Sequence, residues 1–226
     1  MKSKASVILQ ILFWFLPWGI RKFLLTQIFG FKLEDGARIG FSVIVADEVV
    51  IGKNSGVRNL TFIKNLDRLV LGNESYIVNL NWITGTHSGD ERYFTHLPER
   101  KCELIIGDHS ALTSRHFVDC TGGVRIGKFT TIGGANTQIL THYIDVYECR
   151  QTCRAIEIGD YCFVGTKALL LPGAGLPDFS ILGGGSVLTK KHQIPRMLYA
   201  GNPAMPKKDM SSMRVGYFDR KRGVVD

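Results

Sequence analysis

Two Thr-His pairs, Thr86-His87 and Thr141-His142, are where this chain is best equipped for side-chain chemistry. A neutral imidazole with a pKa near 6.5 can take the proton of a hydroxyl group as that oxygen attacks a carbonyl. No serine or cysteine stands in a nucleophile motif, which favours direct group transfer over a covalent intermediate. The other four histidines are differently placed: His96 within a long insertion, His109 and His116 at corners of a repeating pattern, and His192 near its end.

That repeat must position the two Thr-His pairs. From about residue 33 to 190 an aliphatic residue returns every six positions: Leu33, Ile39, Val45, Ile51, Val57, Ile63; Leu71, Ile77, Ile83; Ile106, Leu112, Val118; Ile126, Ile132; and Ile158 to Leu188. Six is neither a helical nor a hairpin period, and a fixed short period signals a solenoid. Small residues recur four places later (Ser55, Ser75, Ser110, Thr130, Ser180). Large side chains on flat faces and small ones at corners suit a tightly wound triangular coil of about 18 residues per turn. With turns starting at Leu33, Ile51, Leu71, Ile106, Ile126, Ile158 and Leu176, every excess residue falls after the third hexad. The insertions 84–105 and 140–157 therefore leave from one corner, with His87 and His142 at their bases. Gln138 stands where the third aliphatic is expected and Ile139 one place late, which predicts a local bulge. At ~4.8 Å per turn the two histidines lie ~10 Å apart along the rod, too far for direct proton exchange. The open ends of such a stack need covering. Residues 1–32 and 194–226, flanking a 33–193 repeat, are the segments expected to cap it.

Across about 33–208 the chain resembles the hexapeptide-repeat acyltransferases. The likeness is most specific where IGDYCFVGTKALLLPGAGLPDFSILGGGSVLTKK, followed by AGNPAMPKK, is similar to that family's closing turns and tail. The resemblance implies an all-β, left-handed parallel β-helix, a homotrimer with sites between adjacent rods, and acetyl-CoA as co-substrate without a metal. In the sugar O-acetyltransferase branch a Thr- or Gly-His precedes the closing turns by about one loop. ILTHYID matches, which selects His142 as catalytic base, with Asp145 or Glu148 as candidates to orient it and a backbone N–H to hold the oxyanion. For the acceptor, the candidates are His87, Thr113 (near the family's substrate-binding Asn) and Asp119, the nearest acceptor for a hydroxyl. For coenzyme A they are Phe163 (where the family often has Trp), Gly165, Thr166, Gly184, Thr189, Lys190 and Lys207. Glycine lets a pantetheine arm approach the backbone or simply forms a tight corner, and the lysines meet phosphates as point charges. Gly175-Leu176-Pro177-Asp178-Phe179 departs from the usual aliphatic-Gly pair.

Composition narrows the partners. The chain has 226 residues, 45% of them hydrophobic, enough for one packed repeat domain. Its five cysteines contain no CxxC pair, which reads as free thiols in a reducing compartment. A net charge of +8 favours anionic partners, yet no nucleic-acid-binding module is visible. A phosphorylated cofactor or an anionic membrane surface accounts for it. Val7 to Ile20 is apolar but broken by Pro17, and too short for the ~20 residues of a membrane span. Lys2 and Lys4 before it mimic a signal peptide, but no small-x-small cleavage site follows. Trp14 and Trp18 beside Arg21, Lys22 and Lys32 suit an interfacial anchor, and a plain cap on the first coil is the other reading. The expected place is the cytoplasm, at the inner membrane face if the anchor holds. The expected function is acyl-CoA-dependent O-acetylation of a sugar hydroxyl in surface polysaccharide or glycolipid biosynthesis. An N-acetyltransferase acting on an amino sugar and a non-catalytic β-helix scaffold are the alternatives. A metal-dependent lyase is disfavoured, because His109 and His116 are seven apart rather than five.

Overall fold

The computed structural model describes residues 4–223; Lys2 and the outermost ends of both flanking segments lie outside the described residues. Each turn of the repeat contributes three short strands, and each strand pairs in parallel with its counterpart one turn on. The first face aligns Leu33, Ile51, Leu71, Ile106, Ile126, Ile158 and Leu176. The second aligns Ile39, Val57, Ile77, Leu112, Ile132, Val164 and Leu182. The third aligns Ile44, Ile63, Ile83, Val118, Ile139, Leu170 and Leu188. All but Leu33 are buried, so one aliphatic column per face fills the prism. Burying each such side chain is worth about 1.5–3 kcal/mol.

One position of the expected pattern is corrected. Ile44, not Val45, sits opposite Ile63, and a register shift follows between Ile44 and Ala46. The bulge anticipated at Gln138 is not in the strand: Gln138 and Ile139 pair in register on both sides, and the extra residue is taken up in the corner 133–137, where Gly134 and Asn136 adopt φ of 69° and 62°.

The corner residues do more than stay small. Where the first face meets the second, Ser55, Ser75, Ser110 and Thr130 each donate a hydroxyl to a glycine carbonyl of the next turn. Each also accepts the N–H of the equivalent residue in that turn. A ladder of oxygens thereby satisfies backbone groups that the tight corner would otherwise bury unpaired. Outside the same corner His109, Phe129, Tyr161 and Phe179 hold left-handed backbone and stack face to face, with centroids 4.6, 4.7 and 5.0 Å apart. The C-terminal tail lies along this stack. Phe218 meets Phe179 edge-on, Tyr217 Oη donates to the Cys162 carbonyl, and Arg220 donates to that of Phe129.

Both ends of the coil are covered. At the C-terminal end Met197–Ala200 adds to the second face, and Met205–Asp209 folds back antiparallel on it. At the N-terminal end stand helices α1 (Lys4–Phe13) and α2 (Trp18–Phe29). Gln10 of α1 gives its amide N–H to the Ile44 carbonyl and takes the Ile44 N–H in return, completing the open strand edge. Phe13, Leu25 and Phe29 bury against the first turn, while Ile8, Leu12, Phe15, Ile20 and Phe23 on the outer side stay exposed. Among the described residues no helix is long and apolar enough to cross a membrane.

Candidate active site

Both insertions depart where the third face meets the first. After strand Gln138–Ile139 the chain leaves this corner as a hairpin, His142–Asp145 paired with Arg150–Cys153. One turn below, strand Phe117–Asp119 ends in a carboxylate at the same corner, because Val118 aligns with Ile139. Asp119 is 2% exposed and fully engaged. Its Oδ2 accepts from the Thr141 N–H (2.8 Å), the Thr141 hydroxyl (2.6 Å) and the His142 N–H (2.9 Å), and lies 2.8 Å from His142 Nδ1. Its Oδ1 accepts from the Thr121 hydroxyl at 2.6 Å. Burial alone would raise this carboxyl's pKa, but the hydrogen bonds from His142, Thr121 and Thr141 hold it well below the ordinary carboxylate range.

A permanent carboxylate at Nδ1 fixes the imidazole. Nδ1 carries the proton it donates to Asp119, so Nε2 presents its lone pair outward on a side chain 46% exposed. The hydrogen bond to Asp119 raises the pKa of His142, outweighing the opposite effect of burial. The ring is also braced laterally. Phe94 of the first insertion is buried and meets it edge-on at 6.5 Å. Phe94 lies in turn beneath the Arg100 guanidinium, which donates to the carbonyls of Thr86, His87 and Thr121. Such a group can accept a proton, stabilise the charge that results, and return it.

His87 occupies the same corner two turns earlier, one turn before Asp119 in register. Its Nε2 lies 2.7 Å from Asp47 and 3.3 Å from Asp67, and its Nδ1 accepts the Gly89 N–H. Both nitrogens are therefore engaged. His87 lines a cavity of about 620 Å³ together with Asp47, Asn65, Thr86 and Tyr93.

The other expected site residues are dispersed. Asp119 is corrected from an acceptor contact to the partner of His142, since a buried carboxylate with its oxygens occupied cannot reach a bound sugar. Asp145 is corrected likewise: it accepts the N–H groups of Tyr147 and Glu148 at the hairpin tip and does not orient His142. Thr113 lies at the corner between the second and third faces, across the third face from His142. Its hydroxyl is taken up by the carbonyls of Ile132 and Gly134 and by His116. His116 is buried there, its Nδ1 accepting the Thr137 N–H, and burial lowers its pKa to about 4. Gly165, Thr166 and Gly184 gather at that corner too. A Cβ on Gly165 would come within 2.5 Å of the Gly184 nitrogen, so stacking alone requires glycine there. Phe163 lies on the second face, partly covered by Tyr217, and Lys207 is in the closing strand pair of that face. Thr189 and Lys190 follow strand Val187–Leu188, at the corner that carries His142 and two turns beyond it. From the 84–105 insertion Phe94 folds onto His142 of the same chain.

The missed contact is the Asp119–His142 bond. Its signal was in the pattern, because the alignment of Val118 with Ile139 puts Asp119 beneath Leu140, next to Thr141-His142.

No family model matches the chain. Among solved structures, the polysialic acid O-acetyltransferase OatWY is similar over 79% of this chain and 84% of its own, at 17% identity and a TM-score of 0.58. The UDP-N-acetylglucosamine acyltransferase from Campylobacter jejuni is similar over 82% of this chain and 75% of its own, at 17% identity and a TM-score of 0.54. Likeness at such identity is a likeness of fold. With three parallel faces wound on a six-residue repeat, the chain has the left-handed parallel β-helix fold of the hexapeptide-repeat acyltransferases.

Proposed function

We propose that the chain is an acyl-CoA-dependent O-acetyltransferase acting on a sugar hydroxyl of a surface polysaccharide or glycolipid, with His142 as general base. The observation that carries this reading is the His142–Asp119 pair, a buried carboxylate holding one imidazole nitrogen while the other faces outward. A scaffold has no use for that arrangement. The acceptor hydroxyl bonds to Nε2, and as its oxygen attacks the thioester carbonyl, Nε2 takes the proton and Asp119 faces the imidazolium. Collapse of the tetrahedral intermediate expels the coenzyme A thiolate, which takes that proton back, so no acyl-enzyme forms.

Acetyl-CoA is placed along the His142 corner toward the C-terminal turns, where Lys190 stands ~10 Å further on. Lys190→Ala should weaken coenzyme A binding about 10–100-fold by calorimetry; unchanged affinity would remove that placement. The cavity beside His87, with its carboxylates and Tyr93, is the proposed acceptor site. The active form is proposed to be a homotrimer. In its favour, Phe62, Trp82 and Phe117 align on the outer side of the third face, with Trp82 44% and Phe117 38% exposed. The N-terminal helices are proposed to attach the enzyme peripherally to the cytoplasmic face of a membrane.

The deciding experiment incubates the protein with acetyl-CoA and a panel of sugars and reads products by mass spectrometry before and after mild alkali. An alkali-labile acetyl ester supports the reading. An alkali-stable amide would make the enzyme an N-acetyltransferase, and no acetylated product from any acceptor would favour the scaffold.

A further inference from the structure

Between the N-terminal helices and the first turns lies a cavity of about 530 Å³ that no step of acyl transfer uses. Its walls carry three arginines, Arg21, Arg38 and Arg58, and four aromatics, Trp14, Trp18, Phe41 and Tyr76, with no acidic residue. Arg21 is 5% exposed; it donates to the Gly40 carbonyl, but its Nε has no partner. Burial lowers its pKa to about 10, which leaves it charged at neutral pH. None of the three arginines has an ion pair among the described residues. Arg38 and Arg21 instead lie over the Trp18 ring, and Arg58 over Tyr76. Helix α2 begins at this cavity, Trp18 following Pro17 with no side-chain cap, so the positive end of its dipole also faces an anion placed here. A buried arginine and two exposed ones around one cavity, with no acid among its walls, offer an anion a site.

The surroundings indicate where that charge comes from. The outer side of α1, α2 and the turn between them is apolar and exposed: Ile8 59%, Leu12 56%, Phe15 85%, Ile20 52% and Phe23 62%. In α1 Ile8 and Leu12, four apart, share one helical face; Phe15 stands in the turn that follows, and Ile20 and Phe23 on α2. An exposed apolar helix face flanked by tryptophans and basic side chains is the composition of an interfacial segment. A ligand with a phosphate for the arginines and acyl chains beside Phe15 and Phe23 would satisfy both features.

We propose that this cavity binds the phosphate of an anionic phospholipid headgroup while the outer faces of α1 and α2 enter the same bilayer. The proposal rests on the membrane attachment suggested above and is independent of acyl transfer. The full chain is titrated with vesicles of phosphatidylcholine alone and of phosphatidylcholine mixed with phosphatidylglycerol, and bound protein is read by co-sedimentation. The wild type should prefer the mixed vesicles. Arg38→Gln with Arg58→Gln should weaken that binding roughly 5-fold per arginine, the effect of one basic side chain at a charged surface. Phe15→Ser with Phe23→Ser should weaken binding to both vesicle types. Lys208→Gln with Lys221→Gln, which removes the same charge elsewhere, should leave it unchanged. Equal binding to both vesicles would overturn the headgroup pocket and leave membrane attachment standing, whereas no binding to either would remove both. An equal loss in the lysine variant would reduce the effect to diffuse charge. Release by millimolar inorganic phosphate at constant ionic strength would make the ligand a free anion instead of a lipid.

Discussion

His87 and His142 occupy the same corner of the same coil, each after a threonine and at the base of an insertion, yet their nitrogens are committed differently. His142 gives one nitrogen to a buried carboxylate and keeps the other free. His87 spends Nε2 on Asp47, whose side chain is 56% exposed, and Nδ1 on the Gly89 N–H. The carboxylate's position decides the outcome. Asp119 is buried and holds His142 at Nδ1, which leaves Nε2 for a ligand. Asp47 and Asp67 instead meet His87 at Nε2, the nitrogen that stays free in His142. One sequence motif in one structural slot thus yields a poised base in one turn and a tethered wall residue in another.

The comparison breaks most readily at His142. His142→Ala should fold normally and lose about 10²–10⁴-fold in kcat, the usual contribution of a general base. Near-full turnover by a folded mutant would end the assignment. Asp119→Asn keeps the shape of the anchor but removes the charge that fixes the proton on Nδ1 of His142. Turnover should fall by up to about 10⁴-fold, as expected when the base loses its tautomer control. The rise of rate with pH should also move to lower pH, because the hydrogen bond that raises the His142 pKa is gone. A loss of rate with an unshifted profile would mean that Asp119 only supports the corner.

His116 sharpens the contrast from the other side, as an imidazole enclosed in a corner. Its folded pKa is about 4, below the unfolded value near 6.5, so between these values the unfolded chain binds more protons. Stability should therefore be full above pH 6.5 and fall as pH drops toward 4, by roughly 3 kcal/mol at most. His116→Asn, which places in this slot the residue type that Asn81 supplies one turn below, should flatten that dependence in urea titrations followed by circular dichroism. The smallest effect is expected at His87. His87→Ala should raise the acceptor KM several-fold with kcat nearly unchanged, by steady-state kinetics; a fall in kcat comparable to that of His142→Ala would erase the distinction between the two corners.

The coil was legible because its signal is periodic. All seven turn starts and the shared exit corner of the insertions follow from counting sixes, and Ile44 for Val45 is a slip of one where a strand bends across a corner. The site was legible in part. Thr141-His142 stood out as a motif, but its partner lies 23 residues earlier in sequence, and only stacking turns brings the two together. The nearer carboxylates of the loop, Asp145 and Glu148, were the natural candidates on sequence distance and occupy the hairpin tip instead. The aromatic stack was missed although each member stands three residues after a turn start, because aromatic side chains on a tight left-handed corner read as exposed exceptions. Arg21 was noted only as a charge beside an apolar segment; that it is buried without an acid emerges from the packing of α2 on the first turns.

The tail laid along the aromatic stack changes how this rod can come apart. In a coil whose turns touch only their neighbours, unravelling starts at an end and proceeds turn by turn. Here the residues beyond the last turn run back and fasten to Phe179, to Cys162 and then to Phe129, bridging three successive turns from outside. Fraying of the final turn is thereby coupled to the turns beneath it, including the one that carries His142. The C-terminal half of the rod is held as one cooperative block, and the geometry of its base is insulated from the loose end of the stack.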